Sequence, residues 1–186
     1  ALRISDGPQD EAEIEIIDDL HEWARQVDRL DPLHRCFYRL LLLTGARKTE
    51  ILSLTWEQVK DDHIYLPGES TKNGRAFKIP LEPEHLDIIE QIRVMRRNSV
   101  DWVFWSSKGD GYLKTPQKIV VGGMVVTAQM HRHTFATYGE RAGLAPWEVG
   151  RLLNHTVPGV TASNYIKRMV EHHRPLMRKV LDALPV

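Results

Sequence analysis

A single cysteine among 186 residues, Cys36, has no partner for a disulfide within the chain. Disulfide-stapled secreted scaffolds are thereby excluded, and a cytoplasmic setting is the expectation. Between Arg35 and Phe37, Cys36 reads as a small core residue rather than a nucleophile. Long hydrophobic runs are also missing. The longest, Leu40–Leu43, falls far short of the roughly 20 residues a membrane helix needs, so no membrane association is expected. The acidic start lacks the basic region of a signal peptide. Cys-x-x-Cys and His-Glu-x-x-His are absent, as are Asp-rich loops; the only close histidine pairs are His131-x-His133 and His172-His173. No metal is therefore expected. Nor is there a P-loop, a Gly-x-Gly-x-x-Gly or a serine-hydrolase elbow, so no nucleotide or other cofactor is expected.

Net charge is another shortage: 25 basic and 25 acidic residues cancel. The cancellation hides an asymmetry. Residues 1–35 carry ten acidic and four basic residues, so the remainder carries an excess of six positive charges. A basic body behind an acidic leader is compatible with phosphate binding.

Residues 1–18 are polar, aperiodic and begin without Met, and they read as a linker in a piece of a longer protein. Ile16, Leu20, Trp23, Val27 and Leu30 repeat at helical spacing. Asp31-Pro32 starts a second helix to about Leu43, and Arg47 opens a short one through Leu54. His63–Leu66 and Ala76–Pro80 read as strands around Thr71-Lys72-Asn73-Gly74, which carries an Asn-Gly turn signal. Further helices are expected at Pro83–Arg97, near Pro116–Val121, at His131–Ala142, at Pro146–Leu153 and at Val170–Leu184, with a loop over Thr156–Ser163. Helices, a small antiparallel sheet, then helices again describe a mainly helical α+β domain over residues 19–186.

The residues left to carry chemistry are Arg47, Lys72, Gln129, Arg132, His155 and Tyr165. Each has an ordinary reading by itself: a helix-start cation, a solvated turn lysine, a capping histidine, a packed tyrosine. Their contexts go further. Leu42 through Trp56, with Thr44-Gly45-Ala46-Arg47, Glu50, Leu54 and Trp56, resembles the T-G-x-R-x-x-E-x-x-x-L-x-W box of tyrosine recombinases. Thr71-Lys72-Asn73-Gly74 leading to Ile79-Pro80-Leu81 is similar to the β-hairpin lysine segment of that family. Arg132-His133-Thr134-Phe135-Ala136-Thr137, then Ala142-Gly143, resembles R-H-T-F-A-T…A-G; Leu152-Leu153-Asn154-His155 resembles L-L-N-H; Tyr165 follows ten residues on. Five segments stand in the family's order, from about Asp19 to the C-terminus.

The resemblance implies the catalytic fold of DNA breaking-rejoining enzymes, with a three-stranded antiparallel sheet, and site-specific recombination that integrates or excises a phage or mobile element. Arg47 and Arg132 would grip the non-bridging oxygens of the scissile phosphate with permanently charged forks. Tyr165 would attack phosphorus and hold the DNA as a 3′-phosphotyrosine. Lys72 would protonate the leaving 5′-oxygen, His155 would hydrogen-bond the phosphate, and Glu50 would orient a basic partner one helical turn away. Lys48, His133, Lys167 and Arg168 are candidate contacts to the DNA backbone. The implied partners are a double-stranded attachment site and a homotetramer formed on it, with a monomer otherwise. The family's N-terminal DNA-binding domains are expected to lie outside this stretch of sequence. The C-terminal stripe Leu176, Val180, Leu181 and Leu184 either closes its own core or docks on a neighbouring protomer.

One position departs from the pattern. The family usually has histidine three residues before the second arginine, and that place is Gln129. Glutamine donates a hydrogen bond to phosphate but is no general base. His131, one residue from Arg132, points about 100° away on a helix and is not expected to replace it. An active site using Gln129 for binding and an impaired DNA-binding or regulatory module both remain open, as does relaxation of the type IB topoisomerase kind.

Overall fold

The computed structural model describes residues 15–96, 100–107, 109, 111–155 and 162–186; of residues 162–165 and 167 it describes the backbone alone. Asp19 caps α1 (Leu20–Asp28), its side chain accepting from Glu22 N–H, and the helix buries Leu20, Trp23 and Val27. Pro32 opens α2 (Pro32–Thr44), which Gly45 ends in the left-handed conformation. Leu40, Leu41 and Leu42 are wholly buried, so α2 is the central helix of the core. The short α3 (Lys48–Leu52) follows. The hairpin of β1 (His63–Leu66) and β2 (Phe77–Pro80) pairs Ile64 with Ile79, and α4 (Pro83–Met95) packs on α2. Ile17, at the end of the stretch the sequence reads as a linker, is buried, and its N–H donates to Thr134 Oγ1 at 2.8 Å.

Two expectations are corrected. The segment Pro116–Val121 is not helical: Val120–Val121 (β3) pairs antiparallel with Met124–Val125 (β4) across Gly122-Gly123. Both glycines have positive φ, 57° and 84°, which a tight hairpin turn requires, and the β-branched run before them suits a pleated strand. The three-stranded sheet is also absent among the described residues, which hold two separate two-stranded sheets. The chain ahead of β1 winds into a single 3-10 turn, Trp56–Gln58, and meets β1 only through an isolated bridge from Val59 to Ile64 and a bond from Lys60 N–H to His63 O.

The C-terminal third is α5 (Ala128–Arg141), α6 (Pro146–Leu152) and α7 (Ala162–Ala183). Helix α5 starts three residues before the expected His131 because Thr127 caps it, its Oγ1 accepting from Met130 N–H. Helix α7 packs on β2, α5 and α6. Its apolar stripe is therefore spent within the chain: Met177, Val180, Leu181 and Leu184 are buried and Leu176 is half-buried. Arg178 ties α7 to α4 through a two-pronged bond to Glu84, at 2.7 and 2.9 Å.

Histidines do structural work inside this core. His131 is buried; its Nδ1 donates to Thr127 O at 2.8 Å and its Nε2 accepts from Trp23 Nε1 at 3.0 Å. His85 is buried with Nδ1 accepting from Glu82 N–H and Nε2 donating to Leu43 O. Burial pushes both, and buried His173, down to about 4. A histidine whose folded pKa lies below its unfolded value near 6.5 contributes stability that is complete above pH 6.5. That contribution is lost as pH falls toward 4, because the unfolded chain then binds protons the native state refuses. Urea unfolding should accordingly show a midpoint lower at pH 5 than at pH 7.5, by on the order of a few kcal/mol in stability. Equal midpoints would contradict the neutral, buried assignment.

Candidate active site

The site is built where three turns meet. Gly45 ends α2 with φ of 61°, and a Cβ there would stand 2.5 Å from Phe135 Cδ1 and 2.8 Å from Leu153 Cδ2. Glycine is thus required twice, for its backbone angle and for the space. The segments around Arg47, Arg132 and His155 interlock at this point. Gly45→Ala should destabilise the fold by roughly 2–4 kcal/mol, from overpacking and left-handed strain together; a denaturant midpoint within error of wild type would show that Phe135 and Leu153 yield freely.

Arg132, on α5, reaches across the junction. Its Nη1 donates to Gly45 O at 2.7 Å and its Nη2 to Leu153 O at 2.6 Å. Two bonds to two different elements hold the plane of the guanidinium, and three N–H groups stay available for a ligand. Burial first, and the charge of Arg47 second, bring Arg132 down to about 10, so it stays charged at neutral pH. Arg47 precedes α3. Its backbone N–H donates to Glu50 Oε2 at 2.8 Å and its Nη1 to Glu50 Oε1 at 3.2 Å. Glu50 is buried, so one carboxylate both caps α3 and orients the arginine.

His155 follows α6 in a Schellman turn. Its N–H donates to Gly150 O at 2.8 Å, and Asn154 N–H to Arg151 O at 3.2 Å. Asn154 takes the left-handed position, with φ of 53°, the one non-glycine residue of positive φ among those described. Burial, then Arg132, then Arg47 hold His155 below its ordinary value. Two arginines and a histidine thus form one electropositive cluster. An anion placed among them would relieve that repulsion.

The lysine turn is docked against this cluster. Thr71 Oγ1 donates to Arg75 O at 2.8 Å, and Asn73 Oδ1 accepts from Arg75 N–H at 3.2 Å, closing the turn on itself. Asn73 Nδ2 then donates to Asn154 O at 2.9 Å. Lys72 is exposed, one residue from that contact. The sequence did not single out Asn73 or Asn154 as site residues. The available signal was an asparagine just past a helix end, a favoured left-handed cap.

The remaining candidates scatter. Gln129 is exposed in the first turn of α5, beside a shallow depression lined with Glu15, Thr127, Met130 and His133. His131 lies in the core, stacked on Tyr38 with ring centroids 5.3 Å apart, and does not stand in for the expected histidine. His133 is half-buried; Lys48 and Arg168 are exposed. Tyr165 lies on the first turns of α7, and its side chain, like that of Lys167, is outside the described residues, as are residues 156–161 of the expected loop. Among the described residues there is no group of three or more His, Cys, Asp or Glu that could hold a metal, and no helix long and apolar enough to cross a membrane.

Residues 14–172 match the model of the phage integrase family. The chain is 26% identical over 171 residues to prophage integrase IntF of Escherichia coli (strain K12), covering 87% of this chain and 36% of that protein. Among solved structures it is similar to the Tn1549 transposon integrase in complex with circular intermediate DNA, at 15% identity and a TM-score of 0.58, covering 92% of this chain and 65% of that one. A single-substitution form of the same integrase on DNA matches equally well, at 14% identity and a TM-score of 0.58. The chain therefore spans about a third of the curated relative and two thirds of the solved one. The structural likeness establishes a shared fold.

Proposed function

The chain belongs to the phage integrase family, and from that premise we propose that it is the catalytic domain of a tyrosine recombinase that integrates or excises a mobile element at a DNA attachment site. The observation that carries this reading is the convergence of Arg47, Arg132 and His155, with Arg132 pinned to Gly45 O and Leu153 O. A preorganised cationic cradle of this kind suits a phosphodiester whose charge spreads over its non-bridging oxygens during in-line attack. Tyr165 supplies the nucleophile and forms a 3′-phosphotyrosine that conserves the bond energy for rejoining. Lys72 protonates the 5′-oxygen as it leaves, and Glu50 holds Arg47 in place. Lys48, His133, Lys167 and Arg168 contact the flanking backbone. A double-stranded attachment site is the substrate, and four protomers assemble on it.

Gln129 favours a second reading, an impaired DNA-binding module, because a glutamine cannot accept the proton that a histidine there would. One experiment separates the two. A nicked suicide duplex carrying the element's attachment sequence is incubated with the intact protein in EDTA. A denaturant-resistant protein–DNA adduct is the expected result. Binding without an adduct, with cleavage restored in Gln129→His, would establish the impaired module instead. Relaxation of supercoiled plasmid lacking any attachment site would point to topoisomerase-like activity.

A further inference from the structure

Nothing among the described residues holds the Lys72 ammonium by an ion pair or side-chain hydrogen bond; what is held is its neighbour. Asn73 Nδ2 donates to both oxygens of Asn154, to the backbone O at 2.9 Å and to Oδ1 at 3.1 Å, and Asn154 Nδ2 returns a weak bond to Asn73 Oδ1 at 3.4 Å. The two asparagines are 81 residues apart in sequence. On one side of this amide pair the next side chain is Lys72, and on the other it is His155. Both ends are internally braced. Asn73 Oδ1 accepts from Arg75 N–H within the turn, while Asn154 is fixed by the Schellman turn that carries its φ of 53°. The contact therefore joins two rigid turns.

We propose that Asn73 and Asn154 form a positioning clasp that registers Lys72 against the His155 turn, so that its ammonium is delivered to the 5′-oxygen of the scissile phosphate. The proposal rests on the recombinase reading above. In the step it serves, Tyr165 Oη loses its proton to solvent and bonds to phosphorus. The bond from phosphorus to O5′ breaks, and O5′ takes a proton from Lys72 Nζ. The products are a 3′-phosphotyrosine, a free 5′-hydroxyl and a neutral lysine that regains its proton from water. Asn73 and Asn154 touch neither the phosphate nor the tyrosine in this scheme. They act through Lys72, by holding a flexible side chain's root within reach, and small misplacements of a catalytic group are costly.

The amide polarity makes the clasp testable. Asn73→Asp keeps the acceptor that closes the turn on Arg75 N–H but replaces the donor with an oxygen that faces Asn154 O. Asn154→Gly suits the left-handed backbone and keeps the carbonyl that accepts the shorter bond, so it removes only part of the clasp.

The experiment measures single-turnover cleavage by the intact protein on two nicked attachment-site duplexes. One carries the ordinary 5′-oxygen at the scissile position, and the other a bridging 5′-sulfur that leaves without a proton. Lys72→Ala is expected to lose roughly 100-fold or more on oxygen and to recover on sulfur. Asn73→Ala and Asn73→Asp are expected to lose roughly 10- to 100-fold on oxygen, with Asn154→Gly losing less, and all three to approach wild type on sulfur. Equal losses of the Asn73 variants on both duplexes, or no loss on oxygen, would overturn the clasp. Should Lys72→Ala fail to recover on sulfur, the general-acid reading itself falls, and the clasp with it. Recovery of Lys72→Ala without recovery of the Asn73 variants would defeat the clasp alone.

Discussion

Tyr165→Phe is expected to bind attachment-site DNA as the wild type does and to form no covalent adduct. The loss of one oxygen atom removes the only group in the proposed scheme that can bond to phosphorus. Cleavage should fall by roughly four orders of magnitude or more, the scale seen when a covalent nucleophile is deleted from a site that acts as a unit. A phenol has an ordinary pKa near 10, and its deprotonation at neutral pH needs nearby positive charge. In the proposed scheme Arg47 and Arg132 would provide it; Arg47 already lowers the pKa of Arg132, and both arginines lower that of His155. The check is a suicide-duplex assay with both proteins, followed by peptide mapping of the wild-type adduct. An adduct mapped to any other residue, or one that persists in Tyr165→Phe, would remove Tyr165 from the mechanism.

The second large effect is expected at Arg132. Arg132→Lys keeps the charge and loses the fork. An ammonium is a single point of positive charge; it cannot donate to Gly45 O and Leu153 O, 108 residues apart in the chain, and still grip a phosphate. Cleavage should fall roughly 100- to 1000-fold, as when a preorganised donor is removed. The two carbonyls lose charged hydrogen bonds, so stability should fall as well, by roughly 1–3 kcal/mol. Single-turnover cleavage and urea unfolding of the same preparation test both halves. Wild-type cleavage would show that charge alone suffices at this position. Lost cleavage with an unchanged unfolding midpoint would show that the bonds to Gly45 and Leu153 orient the arginine without stabilising the fold.

The helices that build the site were legible in the sequence because local rules wrote them. Pro32 and Gly45 bracket α2, Pro83 opens α4 and Pro146 opens α6, each at the place where a fixed φ or a left-handed cap is needed. The β1–β2 hairpin was legible from its alternation and its Asn-Gly turn. The reading failed where local preference was ambiguous. Ile119-Val120-Val121 is a short apolar run that periodicity alone cannot assign, and the Gly122-Gly123 turn decides it in favour of a hairpin. A third strand beside β1 was ruled out by the 3-10 turn ahead of it, which is a matter of how Gln58 closes on Thr55 through both its backbone and its side chain.

Histidine shows most plainly what a sequence withholds. His131, His85 and His155 are the same residue type, and spacing says little about which is buried. Packing puts the first two in the core, neutral and fully bonded, and leaves the third exposed beside two arginines.

By itself, the sequence determined the family, most of the helices and the identity of the charged residues, because caps, turns and motif spacing act over a few neighbouring positions. The tertiary structure decided what those residues can do together. Gly45, Arg132 and Leu153 meet through bonds that span up to 87 residues, and the Asn73–Asn154 pair spans 81. No local propensity encodes such contacts; they exist only once the core has closed and set the separate turns side by side.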